Sequence, residues 1–159
     1  MGETLDHYYG TNAYYGLDLL LGILFAAIYV VFFLAFYALN AWFLSKVFYK
    51  AGIKRWKAWV PVYNYWVFLE LGGQQGWLAI LALIPIANIV AWVFMCIAAY
   101  NIGIAFAKES AWVVLYIFLP WLWLAIIGFD SSRWEPWRSP VPPRYGANIT
   151  LPDAAAPAA

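Results

Sequence analysis

Histidine and cysteine each occur once in the 159 residues, as His7 and Cys96. A metal centre needs several His, Cys or carboxylate ligands close together, so none is expected. Haem ligation through histidine is not expected either. A single cysteine cannot close an intramolecular disulfide and has no C-x-x-C partner. Cys96 lies in an apolar run and reads as a small buried hydrophobe. Charge is also scarce: Asp, Glu, Lys and Arg make up 11% of the chain, against about 25% in soluble domains. LGGQQG at 71–76 lacks the Lys-Ser/Thr and the preceding strand of a phosphate loop. Ser45 with Lys46, and Ser110 with Lys108, are neighbours only in sequence, whereas a Ser–Lys nucleophile needs a desolvated lysine aimed at the hydroxyl. No enzymatic activity and no cofactor are expected.

What the chain has is apolar and aromatic surface. Hydrophobic residues make up 66% and aromatics 21%, with 11 Trp and 12 Tyr. A soluble fold of this length buries only part of its surface and could not hide so much. The expectation is an all-α integral membrane protein with three transmembrane helices and one re-entrant or interfacial helix.

Residues 1–16 are polar and aromatic, with Glu3 and Asp6 and no cation. They lack the basic n-region, apolar core and cleavage site of a signal peptide. Asp6 stands where a myristoylation motif needs Ser or Thr. The YYG units at 8–10 and 14–16 suit a membrane interface, so 1–16 reads as an extracytoplasmic segment and 17–130 as the membrane domain. Residues 19–45 carry no charge and exceed the roughly 20 residues a span requires. Within them Gly22 and Ala26 form a small-xxx-small pair suited to close helix approach.

Residues 46–57 hold five of the nine basic residues, Lys46, Lys50, Lys54, Arg55 and Lys57, and no acid. Cations gather in cytoplasmic loops, so the first span should run inward from an outside N-terminus in the cell membrane. The same five cations are candidate contacts for anionic lipid headgroups. Their setting among aromatics at a membrane edge does not suggest nucleic acid. Gly52 is expected to end the helix.

KAWVPVYNYW at 57–66 and LALIPIANIV at 81–90 both read apolar-Pro-x-x-Asn. Proline removes a donor and breaks a helix, and in lipid the freed backbone groups must find partners. Asn64 and Asn88, each three residues on, carry both donor and acceptor. Pro61/Asn64 and Pro85/Asn88 are therefore expected to mark two buried, facing helix starts, either shaping packing or lining a site. Residues 58–70 are too short to span and read as re-entrant or interfacial. The uncharged run 71–107 is too long for one span, which places a short helix at 77–84, a break at Pro85 and a span at 86–106. Residues 111–129 form the third expected span, kinked at Pro120, after a solvated turn at 108–110.

Glu70, beside a membrane-embedded segment, is either functional or an interfacial charge paired with the 46–57 cluster. Asn101, deep in the second span, should hydrogen-bond across helices. Arg133, Arg138 and Arg144 place the C-terminus inside. The Pro- and Ala-rich segment 131–159 reads as a disordered cytoplasmic tail, in which the sequon at 148–150 is a chance match.

The run FYKAGIKRWKAWVPVYNYWVFLELGGQQGWLAILALIPIAN, with IAAYNIGIAFAKESAW and LPWLWLAIIGF, resembles a family of small prokaryotic membrane proteins of unknown function. That family shows K-A-G-x-x-x-W-x-A, P-x-Y-N, G-x-x-x-W, I-P-x-x-N, F-(G/A)-K and a closing G-F, over roughly residues 40–130 here. One departure is AFAKES, where members often have glycine before the lysine. Similar modules are sometimes appended to signal peptidase I, and the resemblance thereby suggests a link to signal-peptide processing. The leading expectation is a non-enzymatic accessory or scaffolding protein that binds the bilayer and a membrane-protein partner or further copies of itself. The alternative is a small oligomeric transporter or channel component with a path lined by Asn64, Glu70 and Asn88.

Overall fold

A computed structural model describes residues 2–145, with the backbone alone for residues 2–14. Of His7 only the backbone is described, and the sequon lies outside the described residues. All regular structure among the described residues is helical. The chain divides into two units, Met1–Leu39 and Asn40–Ala159.

The first unit is the greater part of α1, which runs unbroken from Gly2 to Lys50. Residues 1–16 were expected to form a separate segment, but the helix extends back through them as far as Gly2. From position 15 to position 36 every residue is exposed.

The second unit begins with the last turns of α1. Ala41, Leu44, Ser45, Val47 and Phe48 are buried there, the i, i+3, i+4, i+7 stripe of a helix laid on a core. Gly52 ends α1 at φ +76, in the left-handed region that glycine enters at little cost. Ile53 N–H donates to Phe48 O at 2.8 Å and Gly52 N–H to Tyr49 O at 3.1 Å, the paired bonds that satisfy the last carbonyls. A 3₁₀ turn, Arg55–Trp59, leads to α2, Tyr63–Leu71. A 3₁₀ helix, Gly76–Leu83, then leads to α3, Asn88–Ala105. The short helix and the break at Pro85 thus stand within a few residues of their expected places.

The two Pro-Asn segments differ in structure. Pro61 lies two residues ahead of α2, and between them Val62 has φ 64 and ψ −47. Tyr63 N–H donates to Pro61 O at 2.7 Å, so the chain enters α2 through a tight γ-turn, a strained conformation for a β-branched residue. Asn88 opens α3 directly, with its backbone N–H on Ile84 O at 2.8 Å. Asn64 is buried, whereas Asn88 and Pro85 are exposed. Equal spacing does not produce two equivalent buried helix starts, because Tyr63 rather than Pro61 opens the first helix.

Residues 111–129 depart furthest from expectation. They form two helices, α4 at Trp112–Phe118 and α5 at Pro120–Phe129, separated by Leu119 at φ −137, ψ 67. The segment's two ends come together: Lys108 forms an ion pair with Asp130, and Glu135 N–H donates to Ala105 O at 2.8 Å. A continuous helix from 108 to 130 would separate its ends by about 33 Å. The expected kinked span is therefore a helical hairpin, with Pro120 at the first position of the returning helix, where its missing N–H costs nothing.

Small residues let these elements approach. A Cβ on Gly72 would lie 2.4 Å from Ala98 Cα, so the end of α2 rests against the backbone of α3. A Cβ on Gly76 would strike the Trp66 indole at 2.2 Å. Aromatic rings fill the centre. Tyr116 of α4 stacks on Phe68 at 5.7 Å and on Trp92 at 5.8 Å, and Trp123 of α5 meets Tyr116 edge-on at 5.2 Å. Such pairs each add about 0.5–1.5 kcal/mol beyond contact area.

Residues 131–145 are not the loose start of a tail. Pro136 is buried in a short 3₁₀ turn, Pro136–Arg138, and Trp134 packs on Phe106 at 5.0 Å. Arg144 N–H donates to Glu70 O at 2.8 Å. Aromatic and backbone contacts hold this polar segment where composition alone reads disorder. Residues 146–159 lie outside the described residues.

Candidate functional site

The polar chemistry of the second unit gathers where α1, α3 and α5 end. Lys50, in the last turn of α1, donates to Ile127 O at 2.6 Å, Asp130 O at 2.6 Å and Asp130 Oδ1 at 3.0 Å. All three ammonium protons thus serve the C-terminus of α5, where a cation also complements the helix dipole. Lys108 takes Asp130 Oδ2, and Ser132 donates its N–H to Asp130 Oδ1 at 2.9 Å. Burial works against ionisation of Asp130, but hydrogen bonds from Lys108, Ser132 and Lys50 outweigh it and hold the carboxyl well below the ordinary carboxylate range. Lys108, expected in a solvated turn, is instead aimed inward. The chain turns after α3 through Ala107 at φ 57, with Lys108 N–H on Gly103 O at 2.9 Å.

The other cations of the basic stretch lie on aromatic faces. Lys46 is 5.8 Å from the Trp42 ring and 5.5 Å from Phe129. Arg55 stands 4.0 Å over Tyr49. Lys57 stands 4.6 Å over Tyr145 and hydrogen-bonds the hydroxyl of that residue. Lys54 is exposed just ahead of the first 3₁₀ turn.

A second cluster sits at the end of α2. Glu70 Oε1 accepts the Trp66 indole N–H at 2.7 Å; among the described residues its carboxylate forms no ion pair with the 46–57 cations. Asn101 is buried and donates to Gly72 O at 2.7 Å, and Arg144 Nε donates to Gly73 O at 3.1 Å. The Gly72-Gly73 pair is thus a crossing point whose carbonyls are capped by side chains from α3 and the segment after α5.

The expected polar path is not assembled. Asn64 donates to Ala58 O at 3.4 Å and accepts from Tyr65 N–H at 2.7 Å, so it serves its own turn. Asn88 instead lines a mostly apolar pocket of about 200 Å³ with Tyr65, Leu69, Trp92 and Met95. Neither Asn64 nor Glu70 reaches that pocket, and Pro61 and Pro85 stand at the helix entries. Sequence reasoning missed Asp130. Its signal is that it is an acid directly after an apolar run, close to an arginine-bearing segment. Among the described residues no group of His, Cys, Asp and Glu could hold a metal ion.

Among the described residues the regular structure is all helical, and two of the helices, Tyr15–Lys50 and Asn88–Ala105, are long and apolar enough to cross a membrane. The chain belongs to DUF5684, a family of unknown function, whose model matches residues 56–135. That match covers both Pro-Asn segments, the α4–α5 hairpin and Asp130. No curated protein and no solved structure matches the chain.

Proposed function

We propose that the protein is a non-enzymatic, multi-pass protein of the cell membrane that packs, as an accessory or scaffolding subunit, against a membrane-protein partner. One observation carries this reading: the helix is exposed all round over residues 15–36, with Asp18 as the one charged residue there. Apolar surface of that extent does not stay bare in water; lipid and a partner helix are its natural surroundings, and Gly22 with Ala26 gives a partner backbone room to approach. The acids before this span and the cations after it place the N-terminus outside. The α4–α5 hairpin returns to the cationic end, so 111–129 re-enters rather than crosses. In this reading α1 and α3 are the two full-length crossings, and both end at the cationic side, which keeps the C-terminus cytoplasmic.

A transport path lined by Asn64, Glu70 and Asn88 has less support, since the three side chains serve three separate places. A role in signal-peptide processing has the family resemblance alone behind it. The test is affinity purification of the tagged chain from native membranes in mild detergent, with mass spectrometry. A stoichiometric membrane partner, retained by wild type and lost when Gly22 and Ala26 are both changed to Leu, is the expected result. Extraction of the protein from membranes by alkaline carbonate would defeat the reading at its root.

A further inference from the structure

Beside the Lys50–Asp130 cluster, an open cavity of about 520 Å³ is lined by Lys50, Ala51, Gly52, Ser132, Arg133 and Trp134. Its charge is unbalanced. Lys50, Lys108 and Arg133 stand against one carboxylate, Asp130, which is already shared by the two lysines. Arg133 is exposed and makes no ion pair or hydrogen bond among the described residues, so its donors are free. Guanidinium donors match the oxygens of a phosphate, and the residual charge of Lys50 adds attraction although its protons are committed. Ser132 is turned to Asp130, and the remaining walls are formed by Ala51, Gly52 and Trp134. Trp is the residue that settles at the headgroup level of a bilayer.

We propose that this cavity binds a phosphate-bearing anion, with Arg133 as the ligand and Lys50 as the supporting charge, and that its occupant is the headgroup of an anionic lipid. The site differs from a diffuse basic surface: Lys46, Arg55 and Lys57 are occupied by aromatic rings, whereas Arg133 is not. The lipid source rests on the membrane reading above; the phosphate chemistry does not.

The test uses the full chain in detergent micelles, with native mass spectrometry counting retained phosphatidylglycerol against phosphatidylcholine, and calorimetric titration with inorganic phosphate in parallel. The variants are Arg133→Gln and Arg138→Gln. Each removes one exposed cation from the same segment, but only Arg133 lines the cavity. Circular dichroism establishes that both keep their helix content. The expected result is preferential retention of phosphatidylglycerol, reduced about fivefold by Arg133→Gln, the scale of one surface cation, and unchanged by Arg138→Gln. Inorganic phosphate binding with the same variant pattern, without preference between the lipids, would support the site and assign it to the free anion. Equal losses in the two variants, or no binding of either probe, would overturn the proposal. A protein that stays in solution without detergent would defeat the membrane reading, yet the phosphate titration would still decide the site.

Discussion

Lys108 and Asp130 form an ion pair across the open end of the α4–α5 hairpin. Their side chains are 19% and 24% exposed, so the pair is screened less than a surface contact. It joins the chain before α4 to the chain after α5, and Lys50 binds the same carboxylate from α1. One carboxylate thus ties three helix ends together.

The fold-back is directly measurable. Spin labels at Glu109→Cys and Ser131→Cys, in a Cys96→Ala background, should give a short distance. A straight span would separate these positions by about 33 Å, and a distribution centred there would contradict the hairpin.

Removing the carboxylate should loosen this end. Asp130→Asn leaves Lys50 and Lys108 without their counter-charge, and the expected cost is about 2–3 kcal/mol. Thermal unfolding in detergent reads this as a lowered midpoint. Glu109→Gln, an exposed neighbour, should leave the midpoint in place.

The same group sets an acid limit. The carboxyl is held low in the folded state, so its contribution is fully present above the unfolded value of about 3.9. It is lost as pH falls below that value towards the folded one. Unfolding midpoints should therefore be steady from neutral pH to about pH 5 and drop below pH 4. Asp130→Asn, already destabilised, should show a shallower drop; an identical acid profile in the variant would count against the assignment.

Ala107 occupies a position that suits glycine. Its φ of 57 costs a residue with a Cβ about 1–2 kcal/mol. Ala107→Gly should raise stability by about 1 kcal/mol, seen as a higher unfolding midpoint, without altering the Lys108–Asp130 pair.

Gly72 has the opposite character. Gly72→Ala would drive a Cβ into the backbone of Ala98, at 2.4 Å, and should destabilise by about 1–3 kcal/mol. Asn101→Leu would leave Gly72 O unpaired at the same crossing, at about 0.6–1.7 kcal/mol. Asn88→Leu, at an exposed position, should cost little. A larger loss at Asn88 than at Asn101 would reverse this assignment.

The sequence by itself determined the helical character, the long uncharged apolar run at 19–45, the stop at Gly52, the short helix before Pro85 and a helix beginning just after Pro85. Each depends on neighbours a few residues apart: hydropathy over a window, a glycine free to enter positive φ, a proline without a donor. Only the tertiary structure decided that α4 and α5 double back, that Glu70 takes Trp66 rather than a lysine, and that Asn64 and Asn88 part company. Proline at 120 is compatible with a bend or with a reversal. What selects the reversal is a carboxylate shared by lysines 22 and 80 positions away, with Tyr116 and Trp123 packed inside the turn. The segment at 131–145 followed the same logic. Its polar composition reads as a free tail, and Trp134 on Phe106 with Arg144 on the Glu70 and Gly73 carbonyls holds it against the bundle. Contacts of that range leave no periodic trace, because they depend on which surfaces meet and not on the spacing along the chain.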